Sequence, residues 1–279
     1  MILIADCGST NTTWGVVDNG KEIKRVQTSG MNVLLCTPAQ IKEKITTELF
    51  AQVDSTKVEK VYFYGAGCLS GKVSQELKKT LEEVFAGAEI ETHSDLEAAA
   101  IALFGEQEGI ACIIGTGSNS CLWDGKRIVD NISPLGYILG DEGGGAMLGR
   151  LLVGDVLKKQ VPDALAQAFY EETGLNKDII LQKVYKEDGA NVFLASLCPF
   201  IKKYIDEPAM HRLALNAFKL FFVRNVQNYK GHKTLTVSLI GSVAENFAPT
   251  IREAALALDI NLGEFVKSPM DGLVKYYTK

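Results

Sequence analysis

The chain has 279 residues, of which 47% are hydrophobic and 23% charged, an ordinary globular balance with enough length for two domains. Its net charge of −5 disfavours a dedicated nucleic-acid-binding protein, because no basic surplus is available to neutralise phosphates. The stretch from Met1 to Asp6 lacks the basic segment of a secretory signal peptide, and no apolar stretch approaches the ~18 residues that span a bilayer, so we expect a cytoplasmic protein without a membrane partner.

The first part of the chain predicts strands that alternate with helices. Asn19-Gly20 tolerates positive φ and predicts a tight hairpin between the second and third strands. Thr37-Pro38 predicts a helix start, and Ser94 predicts another, with Glu97 placed three residues later for a capping box. The predicted strands are 2–5, 14–17, 23–27, 58–64 and 89–93, and a further helix is predicted over 72–85.

From Ile110 the order of signals begins again. In both halves a strand, a turn of glycine and hydroxyl residues, a strand with a tryptophan, a glycine hairpin and a third strand follow one another. This weak internal repeat predicts a duplicated α/β chain with two related lobes. The other predictions are a mainly helical region over 145–205, a helix over 208–229, a strand over 234–240, a helix over 243–258, a strand over 260–266 and a helix over 270–277.

Two turns rich in glycine and hydroxyl groups occupy equivalent places in the two halves. The first, Gly8-Ser9-Thr10-Asn11, follows Asp6, and the second is Thr116-Gly117-Ser118. Glycine lets the backbone approach an anion, and successive N–H groups and hydroxyls can bind phosphate oxygens. Asp6 could hold Mg²⁺ through water. The alternative for the first turn alone is a polar hairpin, whereas two such turns predict a cleft that closes on one triphosphate.

Three further segments each allow two interpretations. Gly140-Asp141-Glu142-Gly143-Gly144-Gly145 precedes a helix, where its carboxylates suit the helix dipole, but three successive glycines weaken a helix and favour close approach of a ligand. Gly241-Ser242 joins a strand to a helix, either as a tight turn or as a platform for a flat nucleotide ring. Asp95, in a first helical turn, either stabilises the dipole or acts as a base for an attacking hydroxyl.

Six cysteines are spaced widely and irregularly, without a CxxC pair. In a cytosolic chain of this size, such cysteines are expected to be free thiols or small buried apolar residues rather than disulfides or metal ligands. They are Cys7, Cys36, Cys68, Cys112, Cys121 and Cys198.

Six segments occur in order along the chain: DCGSTNTTW, SGMN, HSDLEAAA, IIGTGSNS, LGYILGDEGGG and SLIGSVAE. Together they resemble the acetate and sugar kinase, Hsp70 and actin superfamily, and more closely the BadF/BadG/BcrA/BcrD-type group that contains N-acetylglucosamine kinase. The resemblance implies an α/β fold of two duplicated actin-like (ribonuclease H-like) lobes around a central nucleotide cleft. We expect one lobe over 1–107 and the other over 108–268, with packing of 269–279 on the first lobe as one of two options.

The resemblance also implies an activity, the phosphorylation of an amino sugar by Mg·ATP, with N-acetylglucosamine and its 6-hydroxyl as the foremost acceptor. It implies that Asp95 is the catalytic base and that Asp6 associates with Mg²⁺. The implied nucleotide-binding residues are Gly8, Ser9, Thr10, Asn11, Thr116, Gly117, Ser118, Gly241 and Ser242. The implied sugar-binding residues are Asn32, Thr116, Gly136 and Asp141.

One departure and two rival functions remain. Ser133-Pro134-Leu135-Gly136 stands where the family's kinases often carry Gly-Gly-Trp-Gly, which leaves the acceptor open among N-acetylglucosamine, N-acetylmuramic acid, glucosamine and glucose. The rivals are an ATPase activator of a 2-hydroxyacyl-CoA dehydratase-type enzyme and a sugar- or nucleotide-binding regulator without turnover. The first would need a closely spaced cysteine pair, and the second an output module. The oligomeric state is open, with a homodimer as one option.

Overall fold

The computed structural model describes residues 1–8, 11–33, 36–68 and 71–278. The chain forms two compact units. No helix within the described residues is long and apolar enough to cross a membrane. Unit 1 comprises Met1–Gln107, Gly125–Arg127 and Ser268–Lys279, and unit 2 comprises Glu108–Asp124 and Ile128–Lys267.

Unit 1 is built on a five-stranded sheet. Its strands are β1 (Ile2–Cys7), β2 (Asn11–Asp18), β3 (Lys21–Ser29), β4 (Lys60–Gly65) and β5 (Glu89–Ser94). Their order across the sheet is β3-β2-β1-β4-β5, with β1 antiparallel to β2 and parallel to β4. β1 is apolar from Ile2 to Ala5 because this central strand is covered on both faces.

Unit 2 repeats this arrangement. Its strands are β6 (Glu108–Ile114), β7 (Ser118–Asp124), β8 (Ile128–Asp130), β9 (Val237–Ile240) and β10 (Leu262–Val266). Their order is β10-β9-β6-β7-β8, which, read from the opposite edge, is the order of unit 1 with each strand number raised by five. The parallel and antiparallel pairs correspond as well. This shared topology confirms the predicted duplicated α/β fold.

Helices flank both sheets. Those of the first part of the chain are α1 (Pro38–Lys44), which continues as a π-helical turn over Ile45–Leu49, α2 (Lys72–Val84) and α3 (Asp95–Phe104). The others are α4 (Gly136–Leu139), α5 (Gly145–Leu157), α6 (Asp163–Thr173), α7 (Lys177–Tyr185), α8 (Ala190–Ala195), α9 (Cys198–Lys203), α10 (Pro208–Arg224), α11 (Ser242–Asn246), α12 (Ala248–Leu256) and α13 (Met270–Tyr277). Short 3₁₀ turns cover Ser55–Lys57 and Val226–Asn228.

The core of unit 1 contains an aromatic cluster and a close helix pair. Trp14 packs its ring against Phe63 and Phe85 under α1 and α2. α13 packs on α3 so closely that a Cβ on Gly272 would lie 2.4 Å from the carbonyl oxygen of Ala102. The last helix of the chain is therefore part of unit 1.

The core of unit 2 lies between its sheet and a layer of helices. Ile110 and Ile114 on β6 are fully buried, and so is Phe218 on α10. α5 and α8 approach each other so closely that a Cβ on Gly149 would lie 1.9 Å from the carbonyl oxygen of Leu194. Only glycine fits at this crossing.

Local signals in the sequence set several turns and helix ends. Asn19 and Gly20 have φ of 47° and 72°, which confirms the predicted hairpin between β2 and β3. Thr37 is the N-cap of α1, and its side chain accepts a hydrogen bond from the Gln40 N–H. The Gln40 side-chain oxygen in turn accepts a hydrogen bond from the Thr37 N–H. This completes a capping box that was not predicted from the sequence.

Three of the predicted elements that differ in extent lie in the second half of the chain. The helix predicted over 243–258 is two helices, because Pro249 has no N–H to donate and begins α12 after a break at Phe247. α10 ends at Arg224 instead of reaching Tyr229, and a 3₁₀ turn follows it. The strand predicted from Thr234 begins only at Val237.

The capping box predicted at Ser94 is only half formed. The Ser94 hydroxyl accepts from the Glu97 N–H at 3.1 Å, as expected. The Glu97 carboxylate, however, pairs with Nδ1 of His93 at 3.0 Å and does not return to the Ser94 backbone. Burial alone would lower the pKa of His93, but hydrogen bonds to Glu97 and Glu91 and their negative charges raise it.

Replacement of Gly149 by alanine should destabilise unit 2, because the added methyl group would meet the backbone of α8. We expect a loss of about 1–3 kcal/mol, measured as a lower midpoint of thermal unfolding. Gly154→Ala on the same helix is the matched control, since a Cβ there meets nothing within 4 Å and alanine favours a helix. Equal midpoints for the two variants would contradict the close crossing of α5 and α8.

Candidate functional site

The carboxyl ends of three neighbouring strands in unit 1 lie side by side. The parallel pairing places Cys7 of β1 opposite Gly65 of β4, and Gly65 opposite Ser94 of β5. Asp6 therefore lies at the same edge of the sheet as Asp95, the first residue of α3. The negative charge of Asp95 contributes to a raised pKa of Asp6, which shows that the structure brings these two predicted residues together.

Both carboxylates are costly to ionise. Burial raises the pKa of Asp6 to about 6, and a hydrogen bond from the Ser268 hydroxyl, 3.3 Å from Oδ2, opposes this rise. Burial also raises the pKa of Asp95, although the Leu96 N–H donates to its Oδ1 at 2.9 Å. Within the described residues, neither carboxylate pairs with a lysine, arginine or histidine. A bound cation would relieve this uncompensated charge.

The donor set fits Mg²⁺. This ion uses one or two carboxylates and completes its octahedral shell with waters and substrate phosphate oxygens. Asp6 and Asp95 offer two such oxygen donors at one edge of the sheet. In the parts of the chain that the structure describes, no three His, Cys, Asp or Glu side chains cluster as a metal site, so a metal here would depend on water and phosphate oxygens.

The first predicted phosphate turn is described only in part. The Gly8 N–H donates to the carbonyl oxygen of Asn11 at 2.9 Å, which closes the connection between β1 and β2. A Cβ on Gly8 would lie 3.1 Å from that oxygen. Ser9 and Thr10 lie outside the described residues. A larger residue in place of Gly8 would therefore require the Asn11 oxygen to shift by a few tenths of an ångström.

Asn32, the predicted sugar ligand of unit 1, follows β3. The backbone N–H of its neighbour Met31 donates to the sulfur of Cys7, so this segment lies beside the carboxyl end of β1. The carbonyl oxygen of Asn32 accepts from the Cys36 N–H at 2.9 Å, which fixes the backbone there. Asn32 therefore belongs to the same edge of the sheet as Asp6.

In unit 2 the second glycine turn and the loop before α5 are joined through their backbones. The Gly145 N–H donates to the carbonyl oxygen of Gly115 at 2.8 Å, and the Ala146 N–H donates to that of Thr116 at 2.8 Å. The first two N–H groups of α5 are thus already bonded within the protein. They hold the second turn in place and are not free for an anion.

The carboxylate of Asp141 lies against the second turn. A Cβ on Gly117 would come within 2.6 Å of Asp141 Oδ2, so a larger residue there would displace the Asp141 carboxylate. Burial raises the pKa of Asp141, and a hydrogen bond from the Ser118 N–H opposes the rise. The structure therefore brings together Asp141, Gly117 and Ser118, all three of them predicted site residues.

The Ser118 side chain and a further predicted residue, Gly136, contribute to the same loop. The Ser118 hydroxyl donates to the carbonyl oxygen of Glu142 at 2.7 Å, so it is occupied within the protein. Gly136, with φ of 75°, begins α4, and its carbonyl oxygen accepts from the Gly140 N–H at 2.8 Å. The Asp141 N–H then donates to the carbonyl oxygen of Pro134 at 2.9 Å. The segment around Gly136 thus forms a small closed loop next to Asp141.

A pocket of about 620 Å³ opens beside Thr116 in unit 2. Its size is that of a small-molecule site. Gly241, with φ of 126°, packs so closely on the end of β6 that a Cβ would lie 2.3 Å from the Ile114 carbonyl oxygen, and this contact places Ser242 at the pocket. The lining residues are Gly115, Thr116, Val192, Ala195, Ser196, Cys198, Pro199, Lys202, Lys203, Ser242, Val243, Asn246 and Phe247.

The chemistry of this pocket suits a flat, negatively charged ligand. Its wall is largely apolar, and the ammonium group of Lys202 lies 5.9 Å from the centre of the Phe247 ring. Lys202 and Lys203 add positive charge at the lining, although Lys203 also pairs with Glu172 at 2.6 Å. The sequence analysis predicted Thr116 and Ser242 here but missed Lys202, Lys203 and Phe247. No motif marks Lys202 and Lys203, because α9 reaches the pocket only through the tertiary fold, whereas Phe247 directly follows α11, which begins at Ser242.

Comparison with solved structures gives matches along the whole chain. A candidate N-acetylglucosamine kinase from Porphyromonas gingivalis is 43% identical, with coverage of 100% of this chain and 99% of the other and a TM-score of 0.94. Two more distant structures share the fold: a candidate N-acetylglucosamine kinase from Chromobacterium violaceum (16% identity, 99% and 98% coverage, TM-score 0.73) and a candidate sugar kinase from Cytophaga hutchinsonii (17% identity, 99% and 98% coverage, TM-score 0.52). No protein-family model and no curated protein matches the chain.

Two sheets of one strand order, flanking helices and a glycine turn after the first strand of each sheet define an actin-like ATPase fold. The identity of 43% over the full length shows the family. The chain belongs to the N-acetylglucosamine kinase-like group of ATP-dependent sugar kinases, which confirms the resemblance to the BadF/BadG/BcrA/BcrD type.

Asp6→Asn should stabilise the ligand-free protein at alkaline pH. The folded-state pKa of about 6 lies above the ordinary value of 3.8, so the folded state loses stability as the pH rises through this window. The shift corresponds to about 3 kcal/mol once Asp6 is fully ionised. Thermal unfolding should therefore show a larger gain for the variant at about pH 8 than at about pH 4.5.

The exposed Glu82 on α2 provides the control for this measurement. Glu82→Gln removes an acidic charge from the same unit without removing it from a buried place. It should show no such pH-dependent gain. An Asp6→Asn variant that behaves in the same way would contradict the burial of an unpaired charge at the end of β1.

Proposed function

We propose that this sugar kinase transfers the γ-phosphoryl group of Mg·ATP to an amino sugar, with N-acetylglucosamine as the foremost acceptor and its 6-hydroxyl as the attacking group. The observation that carries the proposal is the unpaired, partly buried carboxylate of Asp95 at the same sheet edge as Asp6. The kinship with the candidate N-acetylglucosamine kinase from Porphyromonas gingivalis supports the choice of acceptor.

Asp95 is the proposed general base. Its raised pKa makes it a better proton acceptor than an ordinary aspartate. The bond from the Leu96 N–H to Oδ1 fixes the orientation of the carboxylate. A proton would pass from the sugar hydroxyl to Asp95 as the new O–P bond forms and the bond to the ADP oxygen breaks.

Asp6 is the proposed magnesium-associated carboxylate. Bound Mg²⁺ would neutralise the phosphate charge that develops in the transfer, and Asp6 would hold it through water. The Ser268 hydroxyl orients the Asp6 carboxylate from the side of α13. This contact assigns a supporting role to a residue that the sequence analysis did not consider.

The pocket of unit 2 is the proposed adenosine site. Thr116 and Ser242 line it with polar groups, Gly241 directly precedes Ser242, and Phe247 and Val243 belong to its apolar wall. We assign phosphate contacts to Gly8, Ser9, Thr10 and Asn11 of the first turn and to Thr116, Gly117 and Ser118 of the second. In the second turn this role falls mainly to Thr116 and Gly117, because the Ser118 hydroxyl is bonded to the Glu142 carbonyl oxygen and the Ser118 N–H to the Asp141 carboxylate.

The proposed sugar-binding residues are Asn32 in unit 1 and Thr116, Gly136 and Asp141 in unit 2. An ionised Asp141 is a strong acceptor for sugar hydroxyls, and its position against Gly117 is fixed. Leu135, adjacent to Gly136, is 58% exposed and occupies the region where related kinases often carry tryptophan. The choice among amino sugars therefore depends on a segment in which this chain departs from its relatives.

An ADP-release assay over a panel of amino sugars tests the proposal. N-acetylglucosamine should give the highest kcat/KM, and analysis of the product should place the phosphate on the 6-hydroxyl. ADP release that does not depend on any sugar would contradict the proposed function and favour an ATPase.

Asp95→Asn should abolish most of this turnover, because it removes the proton acceptor but keeps the shape of the side chain. We expect kcat to fall by about 10²–10⁴-fold, with ATP binding retained in a thermal-shift titration. Asp271→Asn is the matched control, since Asp271 is an exposed first-turn aspartate on α13 of the same unit. Near-normal turnover of Asp95→Asn would exclude it as the base.

Ser242→Trp should weaken nucleotide binding, because an indole at the start of α11 would fill part of the pocket. We expect the KM for ATP to rise about tenfold or more while the KM for the sugar changes little. Leu256→Trp adds the same side chain at an exposed position on α12 and should have wild-type constants. Equal effects of the two substitutions would place the nucleotide elsewhere.

A further inference from the structure

Glu142 differs from the other acidic residues of the candidate site in its burial and in its ion pair. It is 7% exposed, and among the described residues it is the only acidic side chain that is buried to this degree. Its carboxylate lies 2.5 Å from Nε of Arg224 and 3.3 Å from Nδ2 of Asn225. Arg224 ends α10 and Asn225 follows it, so the charge of Glu142 is neutralised from outside its own loop.

The backbone of Glu142 is fixed as well. Its carbonyl oxygen accepts the Ser118 hydroxyl at 2.7 Å, and the N–H of the next residue, Gly143, contacts the sulfur of Met147 at 3.4 Å. Asn225 in turn bonds the carbonyl oxygen of Phe221 at 3.2 Å, which ties it to the last turn of α10. The loop is thus held through Glu142 by the end of α10, while the Asp141 carboxylate lies against the second turn.

Asp141 needs such support because its backbone is strained. Its φ of 51° lies in the left-handed region, which is unfavourable for residues other than glycine and less so for aspartate than for most. Strained residues persist only where the surrounding structure holds them. A loop with glycine at positions 140, 143, 144 and 145 would otherwise relax into many conformations.

We propose that Glu142, Arg224 and Asn225 form a positioning device, the α10 clasp, which holds Asp141 in its strained conformation and thereby sets the affinity for the acceptor sugar. The inference rests on the proposed function, since it deepens the role given there to Asp141. Glu142 and Arg224 touch neither substrate in this assignment. Their ion pair is a poor source of net stability, because burial of a charge offsets much of the attraction, and a fixed conformation is its better-attested use.

Arg224→Ala tests the clasp. The substitution leaves the buried Glu142 without its cation, so the loop should move and displace the Asp141 carboxylate. We expect the KM for N-acetylglucosamine to rise about tenfold or more, with kcat within about threefold and the KM for ATP within about twofold of wild type. Arg224→Lys keeps the charge and should recover part of the sugar affinity.

Hydrogen exchange gives a readout that does not depend on catalysis. The backbone N–H groups of Asp141 and Gly144 are hydrogen-bonded inside the loop, to Pro134 and Asp141 respectively. They should exchange faster in Arg224→Ala, while the N–H groups in the middle of α5 keep their protection. Arg212→Ala removes an exposed arginine from the same helix and should change neither the exchange rates nor the kinetic constants.

The double variant Glu142→Gln/Arg224→Ala separates positioning from misfolding. It has no uncompensated buried charge, so it should unfold close to the wild-type temperature and still show the raised sugar KM and the faster exchange. Wild-type exchange and wild-type sugar KM in Arg224→Ala would overturn the clasp and leave the kinase function intact. A wild-type protein that phosphorylates no amino sugar would instead contradict the proposed function, and the exchange rates would then decide on the clasp alone.

Discussion

The close approach of three backbone segments at the carboxyl end of β6 determines the geometry of unit 2. A Cβ on Gly144 would lie 2.7 Å from the carbonyl carbon of Gly117, and a Cβ on Gly241 would lie 2.3 Å from the Ile114 oxygen. Because no side chain separates these segments, their N–H and C=O groups bond directly, as between Gly145 and Gly115. The wall of the pocket and the position of Asp141 both depend on these contacts.

The same contacts explain which parts of the site the sequence could predict. Strand, turn and strand follow one another locally, so the two glycine turns and the hairpin at Asn19 and Gly20 were predictable from short-range signals. The duplicated strand order followed from the repeat of those signals. The hydrogen bond from Ser268 to Asp6, by contrast, joins residues 262 positions apart, and that from Asn225 to Glu142 joins residues 83 apart. No local sequence pattern predicts such pairs. The break at Phe247 was not predicted either, because the residues on both sides of it follow a helical pattern.

The glycine motifs are also less specific than they first appear, because packing alone requires several of them. Gly117 and Gly144 are demanded by neighbouring atoms of the protein itself, so their presence does not distinguish a ligand-binding turn from a close backbone crossing. The roles assigned to Ser9, Thr10 and the other turn residues therefore remain predictions. The acidic residues are better indicators of a ligand-binding site, since a partly buried carboxylate without a counter-charge serves no packing requirement.

The carboxylates of the candidate site differ in whether the protein itself supplies their counter-charge, and this difference distinguishes a supporting residue from those proposed to act on the substrates. The negative charge of Glu142 is paired with Arg224 within the protein, so no ligand is needed to balance it. Asp6 and Asp95 lie at one edge of the sheet with no cation paired to them among the described residues, so the protein bears the cost of their ionisation until something else supplies positive charge. A fold arranged for stability alone would pair them as it pairs Glu142. In the proposed function the substrates supply this counter-charge and the proton, as phosphoryl transfer from Mg·ATP to a hydroxyl requires.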